Sequence, residues 1–338
     1  MIRSLLVLAA VLLPLAAMLQ QPRPGAAQST GQDSLWIGSW WAGHLSSYGT
    51  CTNPSSPAAL ASCFSSPTSS PVMIGPMATD GVNVYNAGNL GGLSCPIADL
   101  GANCNQIMAG PWPIYDSLEV LAIAAYGGQI WIGQQDGLIY RCPSNLPYVK
   151  QDDPPSQCVQ LADAGDHRIT SLLLANGSLY VGVACAGKCD ESKKSGWLWT
   201  CDPMTANSCF TLDSYGDTFA DSLAAGGGYL WAALDNGIIW RCDLNTANAC
   251  SNWEQAANGV ASISYDGQGT LYAAVLGKGS SNEYGAIWSC PTAYANGCDN
   301  VLSNVNGISV AAGAGGVFSF TGDDPGNISF GTSEFASV

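Results

Sequence analysis

Residues 230–242 read Leu-Trp-Ala-Ala-Leu-Asp-Asn-Gly-Ile-Ile-Trp-Arg-Cys, and residues 130–142 read Ile-Trp-Ile-Gly-Gln-Gln-Asp-Gly-Leu-Ile-Tyr-Arg-Cys. Each segment joins two patterns that recur along the chain. The first is apolar, aromatic, any, small. It appears as Leu35-Trp36-Ile37-Gly38, Val84-Tyr85-Asn86-Ala87, Ile130-Trp131-Ile132-Gly133, Leu179-Tyr180-Val181-Gly182, Leu230-Trp231-Ala232-Ala233 and Leu271-Tyr272-Ala273-Ala274. A last copy, Val317-Phe318-Ser319-Phe320, lacks the small residue. Successive aromatics stand 41 to 51 residues apart, a period that signals repeated structural units.

The second pattern is Gly, two apolar residues, an aromatic, one residue, then Cys. It is clearest at 137–142, 196–201, 237–242 and 285–290, and Cys51 and Cys95 head weaker versions. A third pattern precedes the first: Ile169-x-Ser171-Leu172, Val260-x-Ser262-Ile263 and Ile308-Ser309-Val310. Asn176-Gly177 and Asp266-Gly267 are hairpin-turn signals, because glycine accepts positive φ. Each unit therefore reads as four short strands: A (Ile-x-Ser-Leu), B (Leu-Tyr-Val-Gly), C (Gly-x-x-Trp-x-Cys) and D (around a following cysteine). The strand aromatics Trp131, Tyr140, Tyr180, Trp199, Trp231, Trp240, Tyr272 and Trp288 recur at equivalent positions, as side chains needed for packing in every unit do.

Composition bounds the function. The 338 residues carry 10 Lys+Arg against 25 Asp+Glu, a net charge of −15, with 47% apolar residues. That is enough for a core. The acidic balance excludes nucleic acid and anionic membranes as partners. Residues 1–27 read as a secretory signal peptide: Arg3, a 15-residue apolar stretch from Leu5 to Leu19 broken by Pro14, and small residues before a cut after Ala27. The stretch is too short to span a bilayer, and no membrane insertion is expected. Cleavage removes Arg3 and Arg23 and no acid, leaving 8 basic and 25 acidic groups and a charge of −17. A secreted or cell-wall protein oxidises its thiols. Asn176 and Asn327 head the sequons of an extracellular glycoprotein.

These repeats resemble β-propeller repeats in general, over nearly all of residues 28–338, which read as one domain. They do not carry the recurring Gly-His and Trp-Asp dipeptides of WD40 repeats, so no named family is matched. The count of six A, seven B and six C strands favours six blades, with the C-terminal A strand completing the N-terminal blade. Seven blades is the alternative, with 327–330 as an extra strand. Cysteines on hairpin-joined C and D strands reach disulfide geometry. The expected pairs are Cys51–Cys63, Cys95–Cys104, Cys142–Cys158, Cys201–Cys209, Cys242–Cys250 and Cys290–Cys298, with Cys185 and Cys189 closing a small loop.

The resemblance implies that ligands bind on the face bearing the B–C and D–A loops. Three loops there depart from the repeat. Trp40, Trp41 and His44 offer adjacent aromatics to a sugar ring or a protein partner. The loop from Cys185 to Ser195 holds Lys188, Asp190, Glu191, Lys193 and Lys194. The D–A loops hold Asp163, Asp166 and His167, then Asp213, Asp217 and Asp221, and carboxylates of this kind bind Ca²⁺. The reading is a secreted monomeric binding or scaffold module for extracellular carbohydrate or protein. The enzymatic alternative is a metal-assisted hydrolase or lactonase, with Asp166 orienting His167 as base.

Overall fold

The computed structural model describes residues 34–37, 49–52, 77–79, 83–88, 91–96, 105–109, 120–144, 157–185, 195–245, 249–256, 259–276, 286–303, 306–313, 316–324 and 327–332. All of its regular structure is antiparallel sheet. β1 (Ser34–Ile37) pairs with β2 (Gly49–Thr52). Five four-stranded sheets follow, each formed by consecutive strands. The first holds β3 (Met77–Thr79), β4 (Asn83–Gly88), β5 (Gly91–Pro96) and β6 (Asn105–Ala109). The second holds β7 (Val120–Tyr126), β8 (Gln129–Gln134), β9 (Leu138–Pro143) and β10 (Val159–Asp163). The third holds β11 (His167–Ala175), β12 (Ser178–Cys185), β13 (Gly196–Cys201) and β14 (Phe210–Gly216). The fourth holds β15 (Ala220–Gly226), β16 (Tyr229–Leu234), β17 (Ile238–Asp243) and β18 (Ala249–Gln255). The fifth holds β19 (Val260–Tyr265), β20 (Thr270–Val275), β21 (Ala286–Pro291) and β22 (Asp299–Ser303). β23 (Asn306–Gly313), β24 (Gly316–Asp324) and β25 (Asn327–Thr332) form a three-stranded sheet. Residues 327–330 thus lie in a strand, paired to β24.

The A, B, C and D positions of the sequence are the four strands of each complete sheet. The close approaches between successive sheets run through the first strands, β3 to β7 to β11 to β15 to β19 to β23. The A strands therefore stand innermost and the sheets fan out from them. The core lies in layers between neighbouring sheets. Tyr85 packs with Ile123, Ile130 and Ile132, Trp131 with Ile169 and Val181, Tyr180 with Leu230 and Ala232, and Trp231 with Ile263 and Leu271. Each of these four aromatics of the B pattern fills one such layer. The small residue of that pattern has an equally direct cause: a Cβ on Gly133 would collide with Ile169, and one on Gly182 with Ser171 and Thr170.

Two irregularities recur that a regular strand pattern does not contain. One residue bulges out of register in the A strand of five sheets: Leu121, Thr170, Asp221, Ala261 and Ile308. Another bulges in the D strand: Ile107, Leu161, Leu212, Trp253 and Val301. A bulge re-aims a side chain and bends its strand. In β10 it turns two consecutive residues inward, Leu161 and Ala162, both buried. The D-strand bulges are all apolar.

The A–B connections at 127–128, 176–177 and 227–228 have positive φ at both residues, with Asn176 at 51° and Gly177 at 78°. That is the type I′ hairpin whose twist matches the strands. Four of the expected disulfides are present: Cys142–Cys158, Cys201–Cys209, Cys242–Cys250 and Cys290–Cys298. Cys185 is also disulfide-bonded. The pairs Cys51–Cys63 and Cys95–Cys104, and Cys189, lie outside the described side chains, as does the leader at 1–27.

The disulfide-closed C–D hairpins do more than tie an outer strand. Each of two hairpins clasps the preceding sheet. In the 201–209 hairpin, Pro203 O accepts from Trp131 Nε1 at 3.0 Å and Met204 O from Arg141 Nη1 at 3.0 Å. Asn207, at a φ of 55°, donates its N–H to Leu161 O at 2.6 Å. In the 290–298 hairpin, Asn296 N–H reaches Trp253 O at 3.1 Å and Thr292 O accepts from Arg241 at 3.1 Å. The Arg241 guanidinium meanwhile lies over the Tyr229 ring at 4.5 Å. The arginine of the C pattern is therefore an inter-sheet fastener.

Candidate functional site

Antiparallel alternation brings the B–C and D–A connections to one end of the sheets and the A–B turns and C–D hairpins to the other. Asn176 is exposed at the second end. At the first end the B–C turns of the second and fourth sheets are equivalent. Gly137 N–H donates to Gln134 O, and Gly237 N–H to Leu234 O. Leu138 N–H is accepted by Asp136 and Ile238 N–H by Asn236. Gly137 has a φ of 87°, and a Cβ there would run into His167 O and Gly165 O. Glycine is required on both counts.

Between the second and third sheets, Asp163 lies at the end of β10 and accepts the Gly165 N–H at 2.7 Å. It neighbours Asp136, whose carboxyl is raised mainly by burial and further by the Asp163 charge. Asp166 is exposed. His167 opens β11 and sets its ring edge-on to Trp197 at 4.6 Å. His167 Nδ1 is enclosed without a hydrogen-bond partner, so Asp166 does not orient it as the enzymatic alternative required. The loop between Cys185 and Ser195 leaves this same end, its base closed by the Cys185 N–H to Ser195 O bond of 3.1 Å. Lys188, Asp190, Glu191, Lys193 and Lys194 within it lie outside the described residues, as do Trp40, Trp41 and His44.

Between the third and fourth sheets sits a second group. Arg168 in β11 precedes Ile169, and Phe219 precedes Ala220 in β15, so the two hold the same register in adjacent innermost strands. The Arg168 guanidinium lies over the Phe219 ring at 4.7 Å, a cation–π contact. Its Nε is enclosed and has no hydrogen-bond partner. Asp235, in the β16–β17 turn, accepts from the Thr218 hydroxyl and from Phe219 N–H. The Asp235 N–H returns a bond to Phe219 O at 3.1 Å. Asp221 occupies the A-strand bulge. Its side chain is open to water, yet its carboxyl is raised to about 6, first by desolvation, then by the Asp235 charge, with Arg168 opposing. The carboxyl is thus reached by solvent yet crowded by protein around it.

The acidic residues read from the sequence do not gather. Asp213 lies within β14 and bonds the Ser214 N–H at 2.7 Å, Asp221 lies in β15, and Asp217 remains in the loop between them. Among the described residues no three His, Cys, Asp or Glu side chains come within reach of one metal ion. Arg168, Phe219, Asp136 and Asp235 are additions from the structure. The sequence did hold a signal for the group: at the A-strand bulge the repeats carry Leu121, Thr170, Ala261 and Ile308, and Asp221 is the charged residue in that series.

No family model matches the chain, and no curated protein matches it. Solved structures resemble its course. The computationally designed Ika8 protein is 12% identical, with 77% of this chain and 70% of that one covered and a TM-score of 0.49. A chain of the mitotic checkpoint complex is 13% identical over 75% and 72%, with a TM-score of 0.49. The WD40 β-propeller domain of Doa1 is 13% identical over 77% and 92%, with a TM-score of 0.43. No ligand or activity follows from these likenesses. The chain's own repeat and its fan of four-stranded antiparallel sheets, innermost strand to innermost strand, make it a β-propeller repeat protein with disulfide-closed hairpins.

Proposed function

We propose that the chain is a secreted binding or scaffold module, recognising extracellular carbohydrate or a protein partner through the end that bears the B–C and D–A connections. One contrast carries the reading. At the opposite end the polar groups of the hairpins are committed to holding sheets together, as with Asn207, Pro203 and Thr292. At the B–C end Arg168 and Asp221 interact as opposite charges, with Asp235 next to Asp221, and Gln135 Oε1, His167 Nδ1 and Arg168 Nε are enclosed and unpaired, as Tyr215 Oη, Trp231 Nε1 and Trp253 Nε1 are within the sheets. Charged side chains gathered at one end, with hairpins of the other end given over to sheet-to-sheet bonds, suit recognition at the first.

In the same proposal, export follows removal of residues 1–27, and Asn176 and Asn327 carry glycans. The glycan on Asn176 directs partners to the other end. The protein acts as a monomeric ring of six blades, or of seven if β23, β24 and β25 form a blade apart from β1 and β2. A glycan array probed with the disulfide-intact protein, with and without Ca²⁺, tests the function. Binding to a glycan class supports it. A Ca²⁺ requirement would bring Asp163, Asp166, Asp213 and Asp217 back as metal ligands. Silence on the array together with lactone turnover sinks the binding reading in favour of the hydrolase.

A further inference from the structure

We propose that Arg168 and Asp221 form the polar centre of a site for a neutral carbohydrate, whose adjacent hydroxyls bridge the guanidinium and the carboxylate. This rests on the B–C and D–A end being the recognition face, and it names the residues and the ligand class there.

A guanidinium offers five N–H donors and a carboxylate about four acceptor positions. Side by side, the two groups ordinarily close into a bidentate pair. Here they do not. Arg168 and Asp221 interact electrostatically, yet among the described residues neither closes an ion pair with the other, and Arg168 Nε has no hydrogen-bond partner. The backbone explains the separation. Phe219 fixes the guanidinium plane from below, and the bulge re-aims Asp221 out of the ladder that pairs Ala220 with Leu234 and Ser222 with Ala233. Thr170, the bulge residue of the neighbouring strand, is unavailable as a partner because its hydroxyl donates to Ala220 O at 2.6 Å. The result is a donor and an acceptor that lie near each other without closing into a pair.

Charge selects the ligand. Arg168 and Asp221 offset each other, and Asp235 stands behind with its charge held by Thr218 and Phe219 N–H. An anion would face two carboxylates, and a cation would face the guanidinium. A neutral sugar offers hydroxyl oxygens to Arg168 and hydroxyl protons to Asp221 at once, so it meets both groups without a charge penalty. The other charged or titratable group on these strands near the site, His167, turns to the opposite face of its sheet, against Trp197.

The test uses the full disulfide-intact protein on an array of neutral gluco-, manno-, xylo- and chito-oligosaccharides beside uronic-acid oligosaccharides. A neutral ligand found there is then titrated calorimetrically. The expected result is neutral binding that weakens about tenfold or more in Arg168→Lys and in Asp221→Asn, as for a site built to hydrogen-bond hydroxyls. Asp299→Asn, on the exposed outer strand β22, should bind as wild type. In the unaltered protein the same sugar should slow modification of Arg168 by phenylglyoxal, a readout that does not depend on how the variants fold. Neutral binding with neither effect overturns the site but leaves the wider reading standing. Preference for uronates overturns the ligand class. No glycan bound by the wild type overturns the site and its ligand class and leaves the wider reading with a protein partner alone.

Discussion

Replacing Cys201 and Cys209 together with alanine separates two accounts of the C–D disulfides. If the bond only tethers a hairpin, its loss acts through the unfolded chain. For a sequence separation of 8, the loop-entropy expression gives about 2.5 kcal/mol. If the hairpin is a clasp, its loosening also releases the bonds it makes to the second sheet. These are Asn207 N–H to Leu161 O, Trp131 Nε1–H to Pro203 O, and Arg141 Nη1–H to Met204 O. At about 1 kcal/mol each, and more for the indole because Trp131 is buried, the total approaches 6 kcal/mol. For a chain of this size roughly 2 °C of Tm accompanies each kcal/mol. The tether alone predicts a drop near 5 °C, and the clasp a drop near 12 °C. Scanning calorimetry measures the difference. Hydrogen exchange read by mass spectrometry then locates it: the clasp predicts faster exchange in β10, a strand of the preceding sheet, as well as in the hairpin. A drop no greater than about 5 °C with unchanged exchange in β10 would refute the clasp.

Three further outcomes follow from particular positions. The Asp221 carboxyl sits at about 6 in the folded protein against about 3.9 unfolded, so the fold favours its protonated form. The stability from this group is complete below pH 4 and is lost as pH rises through 6. Asp221→Asn should therefore unfold at higher denaturant than wild type at pH 8 and equally at pH 4. The full shift would give about 3 kcal/mol, and about 1 kcal/mol is expected because the group is open to water. Gly133→Ala should cost about 1–3 kcal/mol in chemical denaturation, because its Cβ meets Ile169; a neutral result would mean that the second and third sheets are not closely packed. Non-reducing peptide mapping should recover Cys51–Cys63, Cys95–Cys104 and Cys185–Cys189, and a bond joining cysteines of different repeats would break the within-blade rule.

The sequence exposed what repeats and concealed what does not. Packing makes the same demand in every unit, so the B-strand aromatic, its small neighbour and the C-strand cysteine could be found by self-comparison alone. Their reasons came from the structure: Gly133 is small because Ile169 of the next A strand lies against it, and Gly182 because the Ser171 and Thr170 hydroxyls of its own sheet's A strand do. The bulges were illegible because an extra residue in a strand changes neither composition nor period by enough to notice. The reading of Asp213 and Asp221 as loop residues failed for that reason. A bulge and strand ends that reach further than the motifs carried both into β14 and β15. Arg168 was passed over because charge in a strand reads as a solvated face, and nothing local says that a phenylalanine 51 residues later will lie beneath it.

The two ends of the sheets divide the work of the repeat in a way that bears on how such a protein changes its ligand. At the hairpin end the backbone carbonyls of Pro203, Met204 and Thr292 and the arginines of the C strands fasten one sheet to the next. Loss of those arginines or of the hairpin shape loosens the interface between the two sheets they join. At the other end the innermost strands of five sheets each contribute one bulged residue outside the ladder. The residues found there, leucine, threonine, aspartate, alanine and isoleucine, share neither size nor charge. Only the backbone irregularity recurs. A repeated bulge thus gives a backbone position whose residue type differs from sheet to sheet while the backbone irregularity is kept. In this chain Asp221 is the position where that freedom is used for charge, with Arg168 placed beside it by the register of the neighbouring strand.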